Sequence, residues 1–309
     1  MIREFIKDIL LEKKRKLIKR NFKPQLFTND QNHNFFAKEG YLHLKNVLSK
    51  DEVNEFLNLY EVIKKMNGFE VTDYYFNSIS FQDVDIREYV RKETLKIANK
   101  FLPRIIDTEL AIFPLGGGFC INPPKSIVGC RPHQDPTTVD EIESYAVTIW
   151  ISLNDMNTKN GCMHIIPGSH LWGNVHRSIS LEWAFNPYMD NLWKYMIPIP
   201  TKAGDIVCFD VSTIHGSTQN LTDNVRLAVN IPVMPKGLPI KCYYPSNKSN
   251  ILNKKADLYF IDENYFLKES QFERPSTKYP FIETLNLDNY FSENNINELI
   301  DEHKKSKLY

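Results

Sequence analysis

Cysteine is sparse and unpatterned. Five cysteines are spread over 309 residues with no C-x-x-C pair, which argues against a disulfide framework and a thiolate zinc site and makes reduced thiols in a cytoplasmic setting the expectation. Net charge is also missing: Lys plus Arg equals Asp plus Glu, 38 each, so bulk charge gives no reason to expect nucleic acid as a partner. No apolar run approaches the roughly 20 residues that a membrane span requires. The N-terminal stretch MIREFIKDILLEKKRKLIKRNF lacks both an uninterrupted apolar core and a small-residue cleavage site, so it does not read as a secretory signal. There is no internal repeat, no low-complexity linker and no second-domain boundary. An apolar fraction of 42% supports a sizeable core in one compact, enzyme-like unit.

The patterning then divides the chain. Ile2, Phe5, Ile6, Ile9, Leu10 and Leu17 fall on one helical stripe with a basic far end, so residues 1–30 read as a basic amphipathic extension with solvated cations. In the next stretch a short helix precedes the strand-like YLHL, and Ser49 with Glu52 has the capping-box spacing that opens a further helix. Residues 86–102 carry another helical pattern, ended by Pro103. From about residue 105 short runs rich in Val, Ile, Thr and aromatics alternate with Gly, Pro and Asn. In YAVTIWISL, Tyr145, Val147, Ile149, Ile151 and Leu153 point one way while Thr148, Trp150 and Ser152 point the other. Such strands predict an all-β sandwich or barrel, with the helices ahead of it buttressing one sheet. Residues 170–196 form an aromatic-rich insertion that suits a lid. Residues 237–309 read as a polar extension with short helices, packed on the same domain.

CRPHQDPTTVD, residues 130–140, holds the first chemical signal. Residues i and i+2 of an extended segment point to one side, so His133 and Asp135 can reach one cation, and Pro132 and Pro136 disfavour a helix there. Among eight histidines, His215 stands out, in AGDIVCFDVSTIHGSTQNLTDNVRLAVNI. A hairpin centred between Asn220 and Leu221 would put Arg226 across from His215 and Asn224 across from Ser217, gathering an imidazole, a hydroxyl and a guanidinium on one wall. Two imidazoles and a carboxylate occupy one face of an octahedron and leave three positions open, the arrangement of non-haem Fe(II) oxygenases. The guanidinium suits a carboxylate clamp.

The chain resembles the phytanoyl-CoA dioxygenase family of Fe(II)- and 2-oxoglutarate-dependent oxygenases. The resemblance rests on FFAKEGYLHLKNVLSKDEV, RPHQD, VTIWISLNDMNTKNGCMHIIPGSH and the His215–Arg226 segment, in that order, and covers roughly residues 33–235. It implies a double-stranded β-helix core over residues 31–236, mainly β with flanking helices. It also implies Fe(II) on His133, Asp135 and His215, with 2-oxoglutarate on Arg226 helped by Ser217, and dioxygen as the further co-substrate. The expected reaction is hydroxylation of an unactivated C–H bond of a small molecule, with 2-oxoglutarate converted to succinate and carbon dioxide. Related halogenases carry a small residue where Asp135 stands, so halogenation is disfavoured.

Desaturation, cyclisation or epoxidation would need the same ligands. So would a non-catalytic metal or 2-oxoglutarate sensor, and a zinc hydrolase would tolerate them. Candidate substrate contacts are Thr148, Trp150 and Tyr75 at the barrel mouth, with Arg131, His176 and Arg177 as anion contacts.

Overall fold

The computed structural model describes residues 16–66, 69, 72–114, 117–173, 176–247, 255–269, 272–287 and 291–306. Residues 1–15, which hold most of the expected amphipathic helix, lie outside them. From Lys16 to Asn29 the chain is not helical. Arg20, expected among solvated cations, instead has its side chain fully buried: it pairs with Asp210 at 3.1 Å and donates to Ser212 Oγ at 2.8 Å and to the Glu141 carbonyl. A segment without its own secondary structure is fixed here by one guanidinium in which every nitrogen finds an acceptor.

Among the described residues, three α-helices alternate with the first two strands. Helix α1 (Asp30–Glu39) is capped by the Asn29 side chain, and Gly40 closes it in the left-handed conformation. After strand β1 (Tyr41–Leu44) comes α2 (Lys50–Ile63), opened by the complete Ser49–Glu52 capping box. Strand β2 (Phe76–Asn77) then leads to α3 (Val84–Ala98), capped by Asp83.

The strands that follow are β3 (Ala111–Ile112), β4 (Gly118–Asn122), β5 (Cys130–His133), β6 (Val147–Ser152) and β7 (Met163–Ile165). A one-turn helix α4 (Met189–Leu192) precedes β8 (Ile197–Ile199), β9 (Ile206–Asp210), β10 (His215–Ser217) and β11 (Arg226–Pro235). The major sheet runs β1-β9-β6-β11-β4-β2, with β3 also on β11, and the minor sheet runs β5-β10-β7-β8. Every described pairing is antiparallel. The two sheets form a double-stranded β-helix, a jelly roll.

Strand alternation explains the layering. On β6 and β11, Val147, Ile149, Ile151, Leu227, Val229, Ile231 and Val233 face the helices and join Phe36, Phe56, Val90 and Ile97 in the main core. The opposite residues, Trp150 and Ala228, join Met163, Ile165, Ile199 and Phe209 between the sheets. The predicted two-faced strand is therefore buried on both sides, by helices on one and by the minor sheet on the other.

Two expectations are corrected. The chain from His215 to Arg226 is not a hairpin: His215 pairs with His133 and Ile165, and Arg226 with Asn122. The turn is spent elsewhere, because Asn220 donates to the carbonyls of Asn122 and Asn224 and Leu221 N–H donates to Lys159 O. The loop thus crosses from one sheet to the other. The chain after 236, expected as a polar extension with short helices, forms a third sheet, β12 (Ile240–Pro245), β13 (Lys255–Ile261) and β14 (Phe281–Asn286), with α5 (Tyr265–Lys268) and a long helix α6 (Glu293–Ser306). Trp172, Phe185, Leu192 and Met196 of the insertion pack on Phe291, Ile296 and Leu299, so much of it is core rather than a free lid. Among the described residues no helix is long and apolar enough to cross a membrane.

Candidate metal centre

His133 ends β5 and His215 begins β10, and the pairing register sets them directly opposite one another. Their rings lie 4.2 Å apart between centroids. His133 Nδ1 is 2.9 Å from the Arg131 carbonyl and His215 Nδ1 is 2.9 Å from the Thr213 carbonyl. A carbonyl only accepts, so each Nδ1 carries a hydrogen, and in the neutral ring it is Nε2 that presents the lone pair. Both Nε2 atoms converge on Asp135 Oδ1, at 3.7 and 3.8 Å. These separations exceed hydrogen-bond reach. One ligand atom from each of the three residues lies within 4.8 Å of the others.

The carboxylate is oriented from behind. Thr148 Oγ1 donates to Asp135 Oδ2 at 2.7 Å, which turns Oδ1 toward the imidazoles. Asp135 N–H donates to Val211 O at 2.8 Å, and Arg177 Nε donates to Asp135 O at 2.9 Å. Burial disfavours protonation of His133, but Cys130 and Asp135 beside it outweigh burial and hold its pKa up, to about 10. Burial, then the charge on His133, pushes His215 down to about 4. A cation entering this site displaces a proton.

Arg226 starts β11 on the opposite sheet and points between the layers, only 1% exposed. Its Nη2 donates to Ser217 Oγ at 3.0 Å, while its buried Nε has no partner. Tyr75 and Trp150 flank the guanidinium at 5.5 and 5.6 Å from their ring centroids. Together with the three metal-ligand candidates these residues line an inner chamber of about 80 Å³. A second, outer chamber of about 430 Å³ adjoins it, and Asn77, Asp135, Thr148 and Asn230 line both.

The predicted substrate contacts divide. Thr148 faces both chambers, whereas Trp150 and Tyr75 face only the inner one. Arg131 is exposed and lines neither. His176 stacks on Tyr243 at 4.7 Å, and burial lowers its pKa to about 4. Arg177 is 4% exposed and engages Glu141 through both terminal nitrogens. His176 and Arg177 are thus taken up by packing and pairing rather than presented to a substrate anion, and Arg131 lines neither chamber. Sequence reasoning missed Asn77 and Asn230, which hydrogen-bond to each other at 3.3 Å on the shared wall. A signal existed for Asn230, which has the parity of Arg226 on a strand otherwise apolar.

A family profile described as phytanoyl-CoA dioxygenase (PhyH) matches residues 36–228, more than half of the chain. The chain belongs to the phytanoyl-CoA dioxygenase family. The mouse (Mus musculus) phytanoyl-CoA dioxygenase domain-containing protein 1 is 32% identical over 111 residues, and the rice (Oryza sativa subsp. japonica) phytanoyl-CoA dioxygenase 1 is 33% identical over 106. Each match covers 33% of this chain, and the chain spans 38% of the length of each of these curated relatives. Among solved structures, the non-heme alpha ketoglutarate dependent carbocyclase SnoK from nogalamycin biosynthesis is similar in fold, with a TM-score of 0.51 at 20% identity over 82% of this chain and 96% of that one. All three metal-ligand candidates and Arg226 fall inside the span matched to the family.

Proposed function

We propose that this protein is an Fe(II)- and 2-oxoglutarate-dependent oxygenase that hydroxylates an unactivated C–H bond of a small organic molecule. The reaction takes one molecule each of substrate, dioxygen and 2-oxoglutarate to the alcohol, succinate and carbon dioxide. The observation that carries this reading is the convergence of two Nε2 lone pairs and one carboxylate oxygen opposite a buried guanidinium with an unsatisfied Nε. The donor set fits a divalent iron with positions left open, and the orphaned Nε fits a carboxylate.

Bound iron would supply the redox chemistry that activates dioxygen. The chain supplies the rest. His133, Asp135 and His215 hold the metal, with the Arg131 and Thr213 carbonyls and Thr148 fixing their orientation. Arg226 and Ser217 bind the far carboxylate of 2-oxoglutarate in the inner chamber. Trp150, Phe209 and Met163 keep water out of that chamber. The substrate occupies the outer chamber, with the reacting carbon toward Asp135 and Thr148. A small-molecule substrate rather than nucleic acid accords with the zero net charge, and a cytosolic setting accords with five unpaired cysteines.

Anaerobic titration with Fe(II) and 2-oxoglutarate tests the reading. A visible charge-transfer band that needs both, and succinate release once air is admitted, are expected. The Asp135→Ala variant should lose both signals, and Arg226→Gln should keep iron while requiring at least about tenfold more 2-oxoglutarate. Absence of the band and of succinate in the wild-type protein would overturn the proposal. Product mass separates hydroxylation or epoxidation from desaturation or ring closure.

A further inference from the structure

The outer chamber falls within the size range of small-ligand pockets, and its charge is one-sided. Its apolar wall includes Ile79, Phe81, Pro114, Ile179, Val211 and Pro232. Among the described residues Asp135 is the sole carboxylate lining it, and that group belongs to the candidate metal-ligand set. Two cations line it as well: Arg87 from α3 and Lys268 from α5. Neither has a carboxylate within ion-pair distance among the described residues. Arg87 gives one hydrogen bond, from Nη1 to the Phe266 carbonyl at 3.2 Å, and its buried Nε has no partner. The nearby Asp83 carboxylate is spent on capping α3 through Ile86 N–H. A protein with balanced total charge thus sets two cations without an ion-pair partner on a chamber whose other lining groups, apart from Asp135, are apolar or neutral polar, which disfavours a neutral occupant relative to an anionic one.

We propose that Arg87 and Lys268 bind a compact anionic group, a carboxylate, on a substrate whose apolar part meets the Ile79, Phe81 and Ile179 wall, and so set which end of it faces Asp135 and Thr148. The inference rests on the reading above, since it names the substrate class of the same site. It also assigns a role to the chain beyond residue 236: α5 supplies Lys268 and, through the Phe266 carbonyl, holds Arg87 in place.

Calorimetric titration of metal-free full-length protein with decanoate, decanol and decyl phosphate tests this. Decanoate is expected to bind at least about tenfold more tightly than decanol, the ratio that about 1.4 kcal/mol of ion pairing gives. Lys268→Gln, at an exposed position, should shrink that ratio, as should Arg87→Gln, and Arg87→Lys should restore part of it. Equal binding of decanoate and decanol, failure of any decanoate to bind, or an unchanged ratio in the Lys268→Gln protein would overturn the proposal. Decyl phosphate binding more tightly than decanoate would reject the carboxylate in favour of a phosphate. Because the titration contains no iron, failure of the metal reading leaves its outcome intact, and the charge-transfer test reports separately on the metal.

Discussion

Thr148 illustrates how much of the site depends on a residue that touches no metal. Its hydroxyl holds Asp135 Oδ2 at 2.7 Å, so the carboxylate rotamer is set before any cation arrives. Thr148→Val keeps the shape and removes the donor. Iron affinity is expected to fall by about 10- to 100-fold, read by anaerobic titration, with the thermal midpoint little changed. A second residue-scale prediction concerns His170, which is buried away from the metal centre, with its Nε2 facing the Ala37 carbonyl. Burial lowers its pKa from the usual value near 6.5 to about 4, Asp210 opposing the shift and Arg20 adding to it. Below pH 6.5 the unfolded chain takes up a proton that the folded chain refuses until about pH 4. Stability is therefore lost as pH falls through that window, by an amount on the order of 3 kcal/mol for a group this buried. Urea midpoints between pH 7.5 and 4.5 should fall accordingly, and His170→Gln should flatten the slope.

At the scale of elements, two glycines define how closely the pieces approach. Gly216 lies between His215 and Ser217, and a Cβ there would sit 2.9 Å from the Cys130 carbonyl oxygen and 3.1 Å from Pro132 N. Gly216→Ala should push β5 off β10 and separate the two histidines, with metal binding lost before stability; comparing the metal titration with the thermal midpoint checks this. Gly161, at φ +76°, would meet Thr218 O at 2.4 Å, so the Asn-Gly of NGCMHIIPGSH is required by both backbone conformation and packing. Elements whose periodicity reports local burial were legible in the sequence. The Ser49–Glu52 cap and the two-faced strand at 147–152 are examples. The partner of β10 was not legible, because a two-sheet crossover and a hairpin share the same turn residues, and contacts from residues far off in sequence, among them Asn122, Ser126 and Lys159, decide between them.

For the whole molecule, the same division holds for the site. The ligand set could be nominated from spacing and context, since an H-x-D in extended chain allows few geometries. The wall of the outer chamber could not, because Arg87, Ile179, Val211 and Lys268 come from four separate regions with no shared motif. The far C-terminal elements also join the core: His303 Nε2 meets Glu39 Oε2 at 3.2 Å, both buried, and its ring packs where a side chain at Gly168 would stand. Contacts this remote in sequence slow assembly. Refolding from urea is expected to take about a second or longer, through a populated intermediate. Stopped-flow circular dichroism should show β-structure forming before metal-binding capacity returns.

Glu39 and His303 are 264 residues apart in sequence. At roughly 5 to 20 residues per second a ribosome emits His303 about 4 to 18 s after His215. For that interval a nascent chain already carries both imidazoles and the carboxylate, while the clasp between Glu39 of α1 and His303 of α6 has not yet been made.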